Sequence, residues 1–183
     1  MSRLATYAAL LAVGVLALVA GSLAFASNDD NGNKTTFKAD ALIGYQEVVG
    51  PPSGPVSTAG HGSFEADLDG DVIHYTLTYG DLEGGTVTQA HIHFGQRAVS
   101  GGIIAFLCGG PKPACPASGT VTGDITAADV IGPATQGIEA GSFEEAVRAL
   151  RVGDVYANVH TARWPAGEIR GQVNDSDQRQ PTR

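Results

Sequence analysis

Ser63-Phe64-Glu65-Ala66-Asp67-Leu68-Asp69-Gly70-Asp71-Val72-Ile73-His74-Tyr75-Thr76-Leu77-Thr78-Tyr79 alternates apolar and polar side chains on both sides of an Asp-Gly pair. Phe64, Ala66 and Leu68 share one face of a first strand, and Ile73, Tyr75, Leu77 and Tyr79 share one face of a second. Period-two patterning around Asp69-Gly70 is the pattern of an antiparallel hairpin with one buried face. Asp67, Asp69 and Asp71 are read here as turn residues, with no more than an adventitious calcium site between them.

Working outward, the same period recurs. Residues 37–43, 86–94, 102–107, 120–126, 155–161 and 168–173 read as further strands, and 46–60, with Pro51, Pro52, Gly54 and Pro55, as a long irregular loop. One helix of one or two turns is expected where Ser142 stands as N-cap and Glu145 as its capping-box partner ahead of Ala146-Val147-Arg148-Ala149-Leu150. Residues 127–130 read as a shorter helical turn. Short strands at close spacing predict an all-β domain, an antiparallel sandwich or barrel of immunoglobulin-like or superoxide-dismutase-like type, with one short helix.

The chain has 183 residues, enough for one domain of ordinary size, and 43% of them are hydrophobic, enough to build a core. A net charge of -8 opposes binding to phosphate backbones, which needs a concentrated basic surface, so no nucleic-acid partner is expected. Residues 1–26 read as an export signal: Arg3 supplies positive charge, 8–20 form an apolar run, and Ala24-Phe25-Ala26 places small residues before Ser27. The run is also nearly long enough to span a bilayer as an uncleaved anchor, which would be the chain's one membrane attachment. Residues 27–35 then form a flexible tether, 36–174 the domain and 175–183 a disordered polar tail. The expected location is secreted, periplasmic or at the cell surface. In such an oxidising setting Cys108 and Cys115, separated by Gly and Pro, are expected to pair and pin a small loop.

Three segments in order, Ala90-His91-Ile92-His93-Phe94-Gly95, Gly123-Asp124-Ile125-Thr126-Ala127-Ala128-Asp129-Val130 and Tyr156-Ala157-Asn158-Val159-His160-Thr161, followed by Pro165-Ala166-Gly167-Glu168-Ile169-Arg170-Gly171-Gln172, resemble the CHRD domain. That domain is named for the repeats of chordin and also occurs alone in exported microbial proteins. The resemblance covers residues 37–173. It implies an all-β extracellular domain, with no settled activity among single-domain microbial forms. An unidentified envelope or extracellular protein is therefore the expected partner.

Five histidines carry what chemistry the sequence offers. Strand period puts His91 and His93 on one face about 7 Å apart, with Ala90, Ile92 and Phe94 turned to the core. The same period puts Tyr156, Asn158 and His160 opposite Val155, Ala157 and Val159. All three imidazoles are thus expected on the solvent side, and if their strands are neighbours they form a cluster suited to copper or zinc. His74 and His61 are the candidate fourth ligands. Asn158, Thr161, Glu168 and Arg170 either orient the imidazoles or tie strands together in a polar network. Trp164-Pro165 reads as a packing lid or an aromatic ligand contact. Ser57, Ser63, Ser100 and Ser118 lack the Gly-x-Ser-x-Gly setting of a hydrolase nucleophile, and no phosphate cradle opens a helix. A binding or structural module is the leading expectation and a metalloprotein its rival.

Overall fold

The structure, a computed structural model, describes residues 35–174. The expected leader, most of the tether and the tail lie outside the described residues. Eight strands, β1 (Thr36–Ile43), β2 (His61–Asp69), β3 (Val72–Gly80), β4 (Val87–Phe94), β5 (Gly102–Cys108), β6 (Gly119–Ile125), β7 (Val155–Thr161) and β8 (Ile169–Gln172), form one antiparallel sheet in the order β5-β4-β7-β8-β1-β2-β3-β6. The expected choice between sandwich and barrel resolves to a single sheet curled into a nearly closed barrel. Its free edges, β5 and β6, approach each other, and Tyr75 Oη donates to Leu107 O across the gap at 2.6 Å. The loop pinned by the Cys108–Cys115 disulfide spans that gap.

The hairpin forms with the expected faces buried, but its two loop residues are Gly70 and Asp71 rather than Asp69 and Gly70, which sets Phe64 opposite Leu77 and Ala66 opposite Tyr75. Gly70 takes φ +56°, which suits glycine at the first position of a tight hairpin turn. A bulge in β1 between Ala39 and Leu42 shifts the alternation, so that Leu42 follows Phe37 and Ala39 into the core, while Ala41 is buried without joining it. The core fills the barrel with Phe37, Leu42, Phe64, Ile73, Leu77, Ile92, Ile104, Leu107, Ile125 and Ile169.

The core also takes in the apolar face of α1 (Phe143–Val152), which buries Phe143, Ala146, Val147, Ala149 and Leu150 and stops at Gly153 with φ +81°. The helix starts where expected and runs longer, but the capping box is not made: Ser142 gives no side-chain cap, its N–H goes to Glu139 O, and Glu145 pairs with Arg148. The reciprocal cap occurs instead at the 3-10 turn Ala127–Asp129, where Asp129 accepts from both Thr126 N and Thr126 Oγ1. Among the described residues no helix is long and apolar enough to cross a membrane.

Candidate metal centre

β4 and β7 are direct neighbours, with His91 opposite Asn158, His93 opposite Tyr156 and Gln89 opposite His160. Register alone therefore brings the three imidazoles together on the face away from the core, as strand parity predicts. The expectation of solvent exposure is wrong: His91, His93 and His160 are 0%, 7% and 5% exposed. A second layer lies over this face. Residues 44–58 cross it from one side, where the Glu47 carboxyl packs so closely on Gly167 that a Cβ there would collide with it. Residues 96–101 cross it from the other, where Gln96 O accepts from Arg170 Nη2 at 2.9 Å and Gly101 O faces His93 Nδ1 at 3.0 Å. Ser100 Oγ joins the two crossings by donating to Val48 O.

One nitrogen from each of His91, His93 and His160 lies within 4.8 Å of the others. The Nδ1–H of His93 donates to Gly101 O and the Nδ1–H of His160 donates to Pro165 O, each at 3.0 Å. These carbonyls fix the tautomers and leave both Nε2 atoms as lone pairs. His91 Nδ1 lies 3.0 Å from His160 Nε2, while the Nε2 atoms of His91 and His93 are buried without a hydrogen-bond partner. Burial holds His91 near a pKa of about 3 and His93 near about 4, with neighbouring imidazoles adding to it, so all three rings are neutral donors at physiological pH.

Around the rings, Phe106 packs edge-on to His91 at 4.4 Å, and Tyr156 stacks on His93 at 4.8 Å with planes 6° apart. Arg170 covers the other face of Tyr156, its Cζ 3.4 Å from the ring centroid. Asn158 Oδ1 sits 3.0 Å from His160 Nε2. Of the four residues expected to surround the imidazoles, Asn158 and Arg170 thus adjoin the cluster.

Thr161 and Glu168 do not. They build a separate buried knot, in which Glu168 accepts from Thr58 Oγ1, Glu83 N, Gly84 N and Thr161 Oγ1 at 2.7–3.0 Å. The candidate fourth ligands are also corrected. His74 lies exposed on β3 and binds Asp124 at 2.6 Å, while exposed His61 faces Asp81. Both stand on the far side of the sheet order from β4 and β7. Trp164 packs half-buried under the Arg163 guanidinium, while its carbonyl takes the Gly167 N–H to close the turn.

Glu47 is the residue that sequence reasoning missed. It is 4% exposed, its Oε1 has no partner, and burial raises its pKa to about 7 against the pull of Arg170. A single Glu in a Pro- and Gly-rich loop carries no spacing signal that would have found it.

An antiparallel barrel carrying a covered histidine cluster on its outer face defines the class: an all-β module with three buried imidazoles side by side. The CHRD domain profile matches residues 39–173, most of the chain, and the protein belongs to that family. No curated protein and no solved structure matches the chain.

Proposed function

We propose that the chain is an exported CHRD module that holds one copper or zinc ion on His91, His93 and His160 and works as a binding or structural element of the envelope rather than as an enzyme. The observation that supports this reading best is that one ring nitrogen from each of His91, His93 and His160 lies within 4.8 Å of the others, while the Nε2 atoms of His91 and His93 are buried without a hydrogen-bond partner. A buried polar atom without a partner costs about 1–3 kcal/mol, and a cation removes that cost for both at once. With Nδ1 of His160 committed to Pro165 O, its Nε2 lone pair faces Asn158 Oδ1; either the Asn158 amide turns to donate or a cation lies between them.

Imidazole donors without thiolate suit copper and zinc. Nitrogens bound at about 2.0–2.1 Å stand about 3.4 Å apart in a tetrahedral site, so the rings would draw in by about 1.4 Å from their widest separation. The three histidines are buried beneath the covering segments. A covered site of this kind favours structural or electron-transfer use over turnover of a substrate. Export is supported by the disulfide and by the family's extracellular occurrence.

A second reading is a structural network, favoured by the 3.0 Å contact of His91 Nδ1 with His160 Nε2, which ties β4 to β7 without any ion. Metal analysis after dialysis against trace copper and zinc separates the two. The metal reading expects about one equivalent in the wild type, none in His91→Ala/His93→Ala, and nitrogen hyperfine structure in the copper(II) spectrum. A wild type that retains no metal while folded sinks it.

A further inference from the structure

His160 Nε2 stands at a crossing of contacts. With the Nδ1–H of the same ring committed to Pro165 O, its lone pair faces His91 Nδ1 at 3.0 Å and Asn158 Oδ1 at 3.0 Å. One imidazole lone pair accepts one hydrogen bond well, so it does not serve two neighbours. The amide oxygen, moreover, brings no proton. Asn158 Oδ1 and His160 Nε2 are two buried acceptors side by side, an arrangement that a cation between them turns from a cost into an attraction.

The sheet holds Asn158 in this position. It lies directly opposite His91 across the β4–β7 ladder and two residues before His160 on β7, so parity puts all three side chains on one face. Asn158 is 2% exposed. The Gly101 and Pro165 carbonyls also approach the rings, but they face N–H groups, whereas Asn158 Oδ1 faces a bare nitrogen. No fourth His, Cys, Asp or Glu joins the cluster among the described residues, which leaves three imidazoles one donor short of a four-coordinate site. Donors bound to one ion at about 2.0–2.1 Å stand about 2.8–3.4 Å apart, from square-planar to tetrahedral geometry. The 3.0 Å between Oδ1 and Nε2 lies in that range.

We propose that Asn158 Oδ1 is the fourth ligand of the centre formed by His91, His93 and His160, completing a set of three nitrogens and one oxygen of the kind that copper(II) takes. The inference rests on the metal reading above and adds a donor to it. It is tested by titrating copper(II) alone into the purified chain, Asn158→Asp and Asn158→Ala, read by visible and electron paramagnetic resonance spectra. Asn158→Asp keeps an oxygen in place and gives it charge, so it is expected to bind about one equivalent at least as tightly as the wild type, with both spectra displaced. Asn158→Ala is expected to bind at least about tenfold more weakly and to gain an azide charge-transfer band that the wild type lacks, because the anion enters the vacated position.

An orienting role for Asn158 also weakens binding on truncation, but it neither displaces the Asn158→Asp spectra nor admits azide. Thermal unfolding of each metal-free variant checks the fold, and Asn158→Asp, close in shape, decides the matter alone if Asn158→Ala does not fold. The proposal is overturned, with the histidine centre intact, if Asn158→Asp gives the wild-type spectra, if it loses copper(II) that the wild type holds, or if azide enters the wild type as readily as Asn158→Ala. A folded wild type that takes up no copper(II) overturns this ligand and a copper centre together.

Discussion

The β2–β3–β6 wall and the β4–β7–β8 wall of the same barrel treat their polar residues in opposite ways. On β3 the burial alternates strictly, and His74, Thr76 and Thr78 face solvent. On β7 all seven residues are buried, so the polar parity of Tyr156, Asn158 and His160 is as enclosed as the apolar one. Each wall follows period two. The difference is made by residues 44–58 and 96–101, which cover the second wall and turn a surface into an interior. Polar groups enclosed in that way must find partners or remain costly, and both outcomes occur there: Glu168 is fully satisfied, whereas His91, His93 and Glu47 keep orphan atoms.

That contrast breaks most visibly at Glu168. Glu168→Ala strands a buried N–H group, a part-buried one and two hydroxyls and is expected to cost about 3–5 kcal/mol in urea unfolding. A loss below about 1 kcal/mol would mean that the covering layer opens and rehydrates these donors. Next in size is an acid effect. His91 and His93 have folded pKa values of about 3 and about 4 against an ordinary 6.5, so the unfolded chain takes up protons first as pH falls. Their contribution is intact above about pH 6.5 and declines towards their folded values, by about 2–3 kcal/mol for either ring taken alone at pH 4.5. Buried Glu47, raised to about 7, acts in the opposite sense: its contribution is intact below about 4.5 and is lost as pH rises through 7. The acid slope should flatten in His91→Ala/His93→Ala and persist in Glu47→Gln, measured as urea midpoints against pH.

A smaller loss, about 2–3 kcal/mol, is expected for Cys108→Ser/Cys115→Ser, since the bridge closes only a short loop. Unfolding midpoints with and without reductant measure it, and a much larger value would make the seam a determinant of the whole fold. Smallest of all, Thr76→Ala on the open wall should change stability by less than about 0.5 kcal/mol. A change as large as that of Glu168→Ala would erase the distinction between the walls.

Much of this arrangement is legible in the sequence, for reasons that can be named. The hairpin, the disulfide and the shared face of His91, His93 and His160 follow from alternation and turn chemistry, which are local. Strand neighbourhood is not local: β4 pairs with β7 across a span of chain that includes β5, β6 and α1, so the convergence of the three rings had to await the register. The covering layer is least legible. Residues 46–60 read as an irregular loop, and nothing in Gln46-Glu47-Val48 indicates that Glu47 will be enclosed. For the same reason the solvent side was assigned to residues that lie beneath a second layer, and Thr161 and Glu168 were grouped with imidazoles they do not touch. Tyr156 is an intermediate case: its parity with Asn158 and His160 is readable, but its stacking between His93 and Arg170 is not.

The seam between β5 and β6 has a consequence for solubility. Edge strands offer rows of unsatisfied amide and carbonyl groups to which any other strand can add. Here the two edges are turned towards each other, with Tyr75 Oη on Leu107 O and Lys112 Nζ on Asp124 O reaching over the gap, and the chain between them is fastened by Cys108–Cys115. Beyond its contribution to the free energy of folding, the bridge fixes the chain that lies between the two edges. It serves as a brace for one barrel and also as a guard against strand-by-strand growth between barrels.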